Sequence, residues 1–205
     1  MTYKFIKDRD YLHIPTNPVA TLQEGEEIAK ILEAALACYP NGIGISANQI
    51  GIRKSVSIIR LPKIDYRLTL INPVITFSSP EKVIYSEGCV SLPGKIVTTL
   101  RSQRISVETL NHANVLEFGP DAEPLTAESI GEDYGLLKCI CAQHEIGHLN
   151  GQLIVDDGIK FTPQTKQLVK YGRNDKVVVE KNGETQYIKY KRAIDLVKND
   201  GWKLI

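Results

Sequence analysis

"QHEIGHLNG", residues 143–151, decides how this sequence is to be read. It holds two of the chain's four histidines, four positions apart, with Glu145 directly after the first. On a helix, residues i and i+4 share a face. His144 and His148 can then grip one metal ion, with Glu145 beside it. The wider stretch "GEDYGLLKCICAQHEIGHLNG" (131–151) reads as that helix, ended near Gly151. HExxH on a helix is a zincin-type signature. A lone histidine on an apolar helix is more often a hydrogen-bonded core residue. Here half the histidines stand at ligand spacing around a glutamate, which favours a metal.

Two imidazoles do not complete a tetrahedral site. A metzincin continues as HExxHxxGxxH. This chain supplies Gly151, but the last position is Ile154, and no histidine follows His148. Asp156, Asp157, Glu180 and Glu184 lie downstream, the two glutamates on an expected hairpin. A better candidate lies upstream. Cys89 sits in "SEGCVSLPG" (86–94), where glycines and a proline predict a tight, exposed turn after a strand. Thiolate and imidazole together suit a site that keeps one position open. Cys139 and Cys141 lie on the histidine helix itself, and Cys38 on the apolar side of an earlier one. All three read as small buried hydrophobes.

The first long helix begins at a capping box, Thr21 with Glu24, and its apolar repeat is Ile28, Ile31, Leu32, Ala35, Leu36 and Tyr39. Pro40 and Asn41 end it. Residues 1–20 read as an irregular lead-in. "KSVSIIR" (54–60), "RLTLINPVI" (67–75), "KVIYS" (82–86) and "RISVETL" (104–110) read as strands. "VVVEKNGETQYIKY" reads as a hairpin turning at Asn182–Gly183, and "KRAIDLVK" as a short last helix. Few helices among many short strands indicate an α+β fold.

Composition sets the outer bounds. The chain has 205 residues, 42% hydrophobic and 24% charged, with a net charge of +1. That is ordinary for a globular domain and predicts no extended nucleic-acid surface. No stretch approaches a membrane span. The charged start "MTYKFIKDRD" reads as neither a secretory signal nor a transit peptide. Four cysteines are too few for a disulfide scaffold, so the expectation is a cytoplasmic protein with reduced thiols.

Three motifs now stand in order: "GIGISANQ" (42–49), "EGCVS" (87–91) and "QHEIGH" (143–148). Together they closely resemble peptide deformylase, the metallohydrolase that removes the formyl group from nascent N-formylmethionyl chains. "YLHIPTNPV" and "LINPVI" resemble the family's lead-in and central strand. The likeness covers roughly residues 5–157. It implies short antiparallel sheets around a central helix carrying HExxH, with residues 1–157 as the catalytic domain. Residues 158–205 are expected to form a C-terminal extension of the same globular unit, in place of the family's usual terminal helix.

The resemblance implies Cys89, His144 and His148 as metal ligands and Glu145 as the catalytic acid/base. It places the Val90 backbone N–H and the Gln49 side-chain amide on the formyl oxygen. It pairs Glu87 with Arg101 behind the ligands. It runs Gly42–Gly44 beside the substrate as an added strand. Ile43, Tyr85, Val90, Ile140 and Cys141 would line the methionine pocket, and Gly44 and Gly88 would also bind substrate. The cofactor implied is one divalent ion, Fe2+ physiologically, with Zn2+, Ni2+ or Co2+ in preparations. The partners implied are N-formylmethionyl nascent peptides; co-translational action is compatible with a ribosome contact, but no residue reads as one. The chemistry stands without the family. Three protein ligands leave room for an ion that acidifies water to a pKa of about 7. A glutamate beside it can carry the proton, and preorganised donors can receive an oxyanion.

Three positions depart from the family's pattern. Ser46 replaces the first alanine of an Ala-Ala pair, Gly147 a usual aspartate, and Ile96 an arginine found in many members. Competing readings are a zinc peptidase, a metal-stabilised module that binds chain termini without turnover, and a cysteine hydrolase using Cys89. The first leaves "EGCVS" unexplained. The second gives Glu145 no purpose. The third would survive chelation.

Overall fold

In the computed structural model, which describes residues 3–121, 132–156, 158, 176–182 and 184–204, the chain divides into two compact units. The larger comprises Met1–Asp121 with Tyr134–Ile159 and the smaller Ala122–Asp133 with Lys160–Ile205.

The larger unit is built on a three-stranded antiparallel sheet of β1 (Gly44–Ser46), β2 (Val56–Leu61) and β3 (Tyr66–Ile71), in that order. Side chains alternate between the two faces of a strand, and β2 is apolar on both. Val56 and Ile58 pack with Ile28, Leu32 and Leu36 of α2 (Leu22–Ala37). Ile59 and Leu61 pack with Cys139, Ala142 and Ile146 of α3 (Tyr134–Leu149). The sheet therefore lies between two helices, and α3 carries the HExxH motif. A second antiparallel sheet has the order β4 (Val74–Ser78), β7 (Ile105–Glu108), β8 (Leu116–Phe118). β5 (Lys82–Gly88) and β6 (Ile96–Ser102) form a two-stranded antiparallel pair, with Glu87 opposite Val97 and Tyr85 opposite Thr99. This is the α+β arrangement expected.

Several expectations need correction. "RLTLINPVI" is not one strand. Asn72 takes φ +48° and exchanges two hydrogen bonds with the Val19 backbone, so the chain breaks there and β4 leaves for another sheet. At the start of α2, Thr21 Oγ1 accepts from Glu24 N, but the Glu24 carboxylate reaches the Ala20 N–H rather than closing a reciprocal box on Thr21. On that helix Ile31 faces solvent; the buried face is Gly25, Ile28, Ala29, Leu32, Ala35 and Leu36. Tyr39 lies past its end and is also exposed. Cys38 caps the C-terminus of α2 and is exposed rather than core. The lead-in contains a single helical turn, α1 (Arg9–Leu12), capped by the Asp8 carboxylate. β6 and β8 carried no reading as strands.

The smaller unit has its own apolar cluster. The hairpin of β9 (Lys176–Lys181) and β10 (Glu184–Lys189) pairs Lys181 with Glu184, which leaves a two-residue loop. Asn182 has φ +52°, as the expected turn requires; Gly183 lies outside the described residues. α4 (Tyr190–Asn199) is the expected last helix, and β11 (Lys203–Leu204) adds to β9. Val177, Val179 and Ala193 are buried together. Among the described residues no helix is long and apolar enough to cross a membrane.

Candidate metal centre

α3 brings His144 and His148 onto one face, and the turn after β5 brings Cys89 to them. The ligand atoms of the three residues lie within 4.8 Å of one another. His144 Nε2 and His148 Nε2 are 3.2 Å apart, and Cys89 Sγ is 3.2 Å from His148 Nε2. Two metal–nitrogen bonds of about 2.05 Å at a tetrahedral angle separate their nitrogens by roughly 3.3 Å, so the spacing fits one shared ion. Cys89 is buried, not on an exposed turn, and packs with Leu92 and Ile154. Asp156 and Glu180 are not part of the cluster, while Asp157 and the Glu184 side chain lie outside the described residues. Asp156 instead pairs with His13 at 3.0 Å and receives the Leu153 N–H.

The groups behind these atoms fix which way they point. Glu87, at the end of β5, is buried and accepts from His144 Nδ1 at 2.7 Å, which turns the Nε2 of that ring toward the cluster. Arg101 on β6 donates to both Glu87 oxygens, at 2.6 and 3.1 Å, and the Thr99 hydroxyl donates to the same carboxylate. This is a buried, two-pronged ion pair and not a loose surface one. Burial pushes the Glu87 pKa up, but the hydrogen bonds from His144 and Arg101 outweigh it and hold it at about 2. Burial pushes His144 down, but Cys89 and the Glu87 and Glu145 carboxylates raise it to about 10. Burial and the neighbouring His144 push His148 well below the usual imidazole range. Its Nδ1 is buried with no hydrogen-bond partner. Two imidazole nitrogens and a thiol sulfur converging in a buried place form a donor set that fits a metal cation.

Glu145 is buried beside the cluster, and desolvation raises its pKa. Its carboxylate accepts from the Ser46 hydroxyl at 2.6 Å. Gly44 passes so close that a β-carbon there would collide with Glu145 Oε1 and come within 2.8 Å of Cys141 Sγ. Gln49, at the end of a 3-10 turn after β1, is 1% exposed and so no surface amide. Its Oε1 accepts the Ser46 N–H at 2.9 Å. That anchors the amide and turns its NH2 end to Ser91 Oγ, His148 Nε2 and Cys89 Sγ at 3.2, 3.3 and 3.4 Å.

A cleft of about 470 Å³ opens over these groups. Ile43, Gly44, Tyr85, Gly88, Ile140 and Cys141 all line it, as do Gln49, Val90 and Glu145. His148 and Arg101 stand behind the wall and not on it. Sequence reasoning missed Leu137, which also lines the cleft; its i−3 and i−4 spacing to Ile140 and Cys141 marks it as a neighbour on the same helix face. It also missed Ser46 and Thr99 as partners of the two buried glutamates.

A buried glutamate beside a Cys-His-His cluster, at the floor of a half-apolar cleft in an α+β fold, defines the class: a metal-dependent hydrolase. The family model described as polypeptide deformylase matches residues 5–164. A peptide deformylase of Thermoanaerobacter sp. (strain X514) is 37% identical over 150 residues, 72% of this chain and 81% of that one. A probable peptide deformylase from Synechococcus phage S-SSM7 has a solved structure that is 31% identical, covering 77% of this chain and 99% of its own, with a TM-score of 0.59. That of Synechococcus elongatus, solved with actinonin, is 26% identical, covering 78% and 79%, with a TM-score of 0.62. This chain belongs to the polypeptide deformylase family. It is a metal-binding hydrolase that removes the N-terminal formyl group from formylmethionyl peptides.

Proposed function

We propose that Cys89, His144 and His148 hold a single divalent ion, Fe2+ in the cell, and that Glu145 is the general acid/base of deformylation. The observation that carries this reading is the convergence of those three ligand atoms within 4.8 Å, next to a buried carboxylate. The ion, when bound, supplies Lewis acidity: it polarises a carbonyl and acidifies water. Glu145 takes the proton from the attacking water and returns it to the departing amine. Its raised pKa suits both halves of that task. Burial in contact with Gly44 keeps the carboxylate from swinging toward β1.

The Val90 N–H and the Gln49 NH2 group receive the negative charge that develops on the formyl oxygen. Ser46 N–H holds the other end of the Gln49 amide, so the donor is set before substrate arrives. Ile43, Tyr85, Ile140 and Cys141 accept the methionine side chain, with Gly44 and Gly88 leaving backbone room for the peptide. Glu87 and Arg101 keep His144 in its ligating orientation. Residues 158–205 form an extension that adds no group to the chemistry, and the protein works in the cytoplasm on nascent chains.

The test is metal removal and replacement. Formate release from a formyl-Met peptide should vanish after chelation and return with Fe2+, Ni2+ or Co2+. The ferrous form should decay in air faster than the nickel form, since oxygen attacks both the iron and its thiolate. A formyl-Asp peptide should be turned over far more slowly. Activity that survives chelation but not thiol alkylation would make Cys89 a nucleophile and end this reading.

A further inference from the structure

We propose that the Ser46 hydroxyl is a positioning residue for deformylation, holding the Glu145 carboxyl in one orientation. The inference rests on Glu145 being the acid/base. Ser46 closes β1 and is fully buried. Its Oγ lies 2.6 Å from Glu145 Oε2 and 2.9 Å from the Glu145 backbone oxygen. A hydroxyl has one proton and two acceptor lone pairs. When Glu145 is a carboxylate, the hydroxyl donates to Oε2, a short bond of the charge-assisted kind. The same oxygen lies within hydrogen-bond distance of the Glu145 backbone oxygen, so the hydroxyl ties the carboxylate to its own helix backbone and fixes its rotation.

Among the described residues, no other side chain does the same work. Gly44 presses on Oε1 but offers no side chain, and Cys141 Sγ is turned to the Ile43 carbonyl at 3.7 Å. The Ser46 N–H fixes the Gln49 amide. One strand end therefore sets both polar groups that the reaction uses, the amide through the backbone and the carboxyl through the side chain. Only the second depends on residue type. Alanine at this position keeps the first and loses the second.

Ser46→Ala removes one oxygen from a fully buried position. Measure kcat and KM for a formyl-Met peptide, and bound metal, for wild type, Ser46→Ala, Glu145→Gln and the double variant. Ser46→Ala should bind metal as wild type does, keep KM within about twofold and lose kcat about tenfold, the size of a lost hydrogen bond to a charged group. In the Glu145→Gln background the same change should cost nothing further, because there is no proton carrier left to hold. An unchanged kcat in Ser46→Ala, a loss confined to KM, a loss of metal, or an equal loss in both backgrounds would each overturn the proposal. A Glu145→Gln protein with wild-type kcat would instead overturn the assignment of Glu145 on which it rests.

Discussion

α2 and α3 are both sixteen residues long and pack on opposite faces of the same sheet, yet they bury different things. The buried face of α2 is apolar throughout, from Gly25 to Leu36. α3 buries Glu145 and His148 among Cys139, Ile140, Ala142, Ile146 and Leu149. A buried charge or imidazole is costly unless something answers it. α2 has no such group, so its residues are replaceable by others of like shape. α3 answers its polar groups from far along the chain: Ser46 for Glu145, and Glu87, itself held by Thr99 and Arg101, for His144. A helix kept at that cost serves a site, and its sister serves the core.

This contrast can be broken at three levels. The largest effect should come from Gly44→Ala, which touches α3's polar side. The added methyl must displace the Glu145 carboxylate or the Cys141 sulfur. Formate release should fall at least about 100-fold, as a misplaced reacting group commonly costs. Near-normal turnover would mean the carboxylate has room to move without consequence. On α2, Leu32 is fully buried in the apolar cluster. Leu32→Ala should cost about 2–5 kcal/mol in a denaturant melt. The molecules that remain folded should keep the wild-type kcat, and a kcat loss comparable to that of Gly44→Ala would erase the distinction between the helices. The smallest effect concerns the thiols. Burial raises Cys139 to about 11 and pushes Cys141 well above the ordinary thiol range, whereas Cys38 at the end of α2 is exposed. The thiolate is the reactive form, so at pH 8 an alkylating reagent should label Cys38 in the native metal-loaded protein and leave Cys139 and Cys141 untouched. Labelling of Cys141 at the rate of Cys38 would show that α3 opens readily.

The two helices also differ in how much of them could be read. α3 announced itself, since HExxH ties residue types to a spacing that few other structures need. The third candidate ligand was open from spacing alone, because Cys89 is 55 positions before His144 and the acids after His148 were nearer. "EGCVS" pointed to Cys89 only through its likeness to a family. α2 was read from its period, which places a residue on a face but does not fix how wide the buried stripe is; hence Ile31 was misjudged. The break at Asn72 was hidden because β-branched residues continue on both sides of it, and the side-chain ties to Val19 that turn the chain are non-local. Ser46, noted only as a departure from the family's alanine, and Thr99 were not tied to the glutamates for the same reason. A serine in a short strand and a threonine in a strand read as ordinary until the glutamates they hold are brought to them by the fold.

The central claim is that ligand and proton carrier are separate groups on one helix, and one paired measurement tests it. Determine bound metal and formate release for Glu145→Gln and for Cys89→Ala. Glu145→Gln keeps the side chain's size and leaves all three ligand atoms in place, so it should hold metal as wild type does while formate release falls about 10²–10⁴-fold. Cys89→Ala removes one of three ligands and should come out empty and inactive. A metal-free Glu145→Gln protein, or a fully loaded Cys89→Ala protein, would contradict the account.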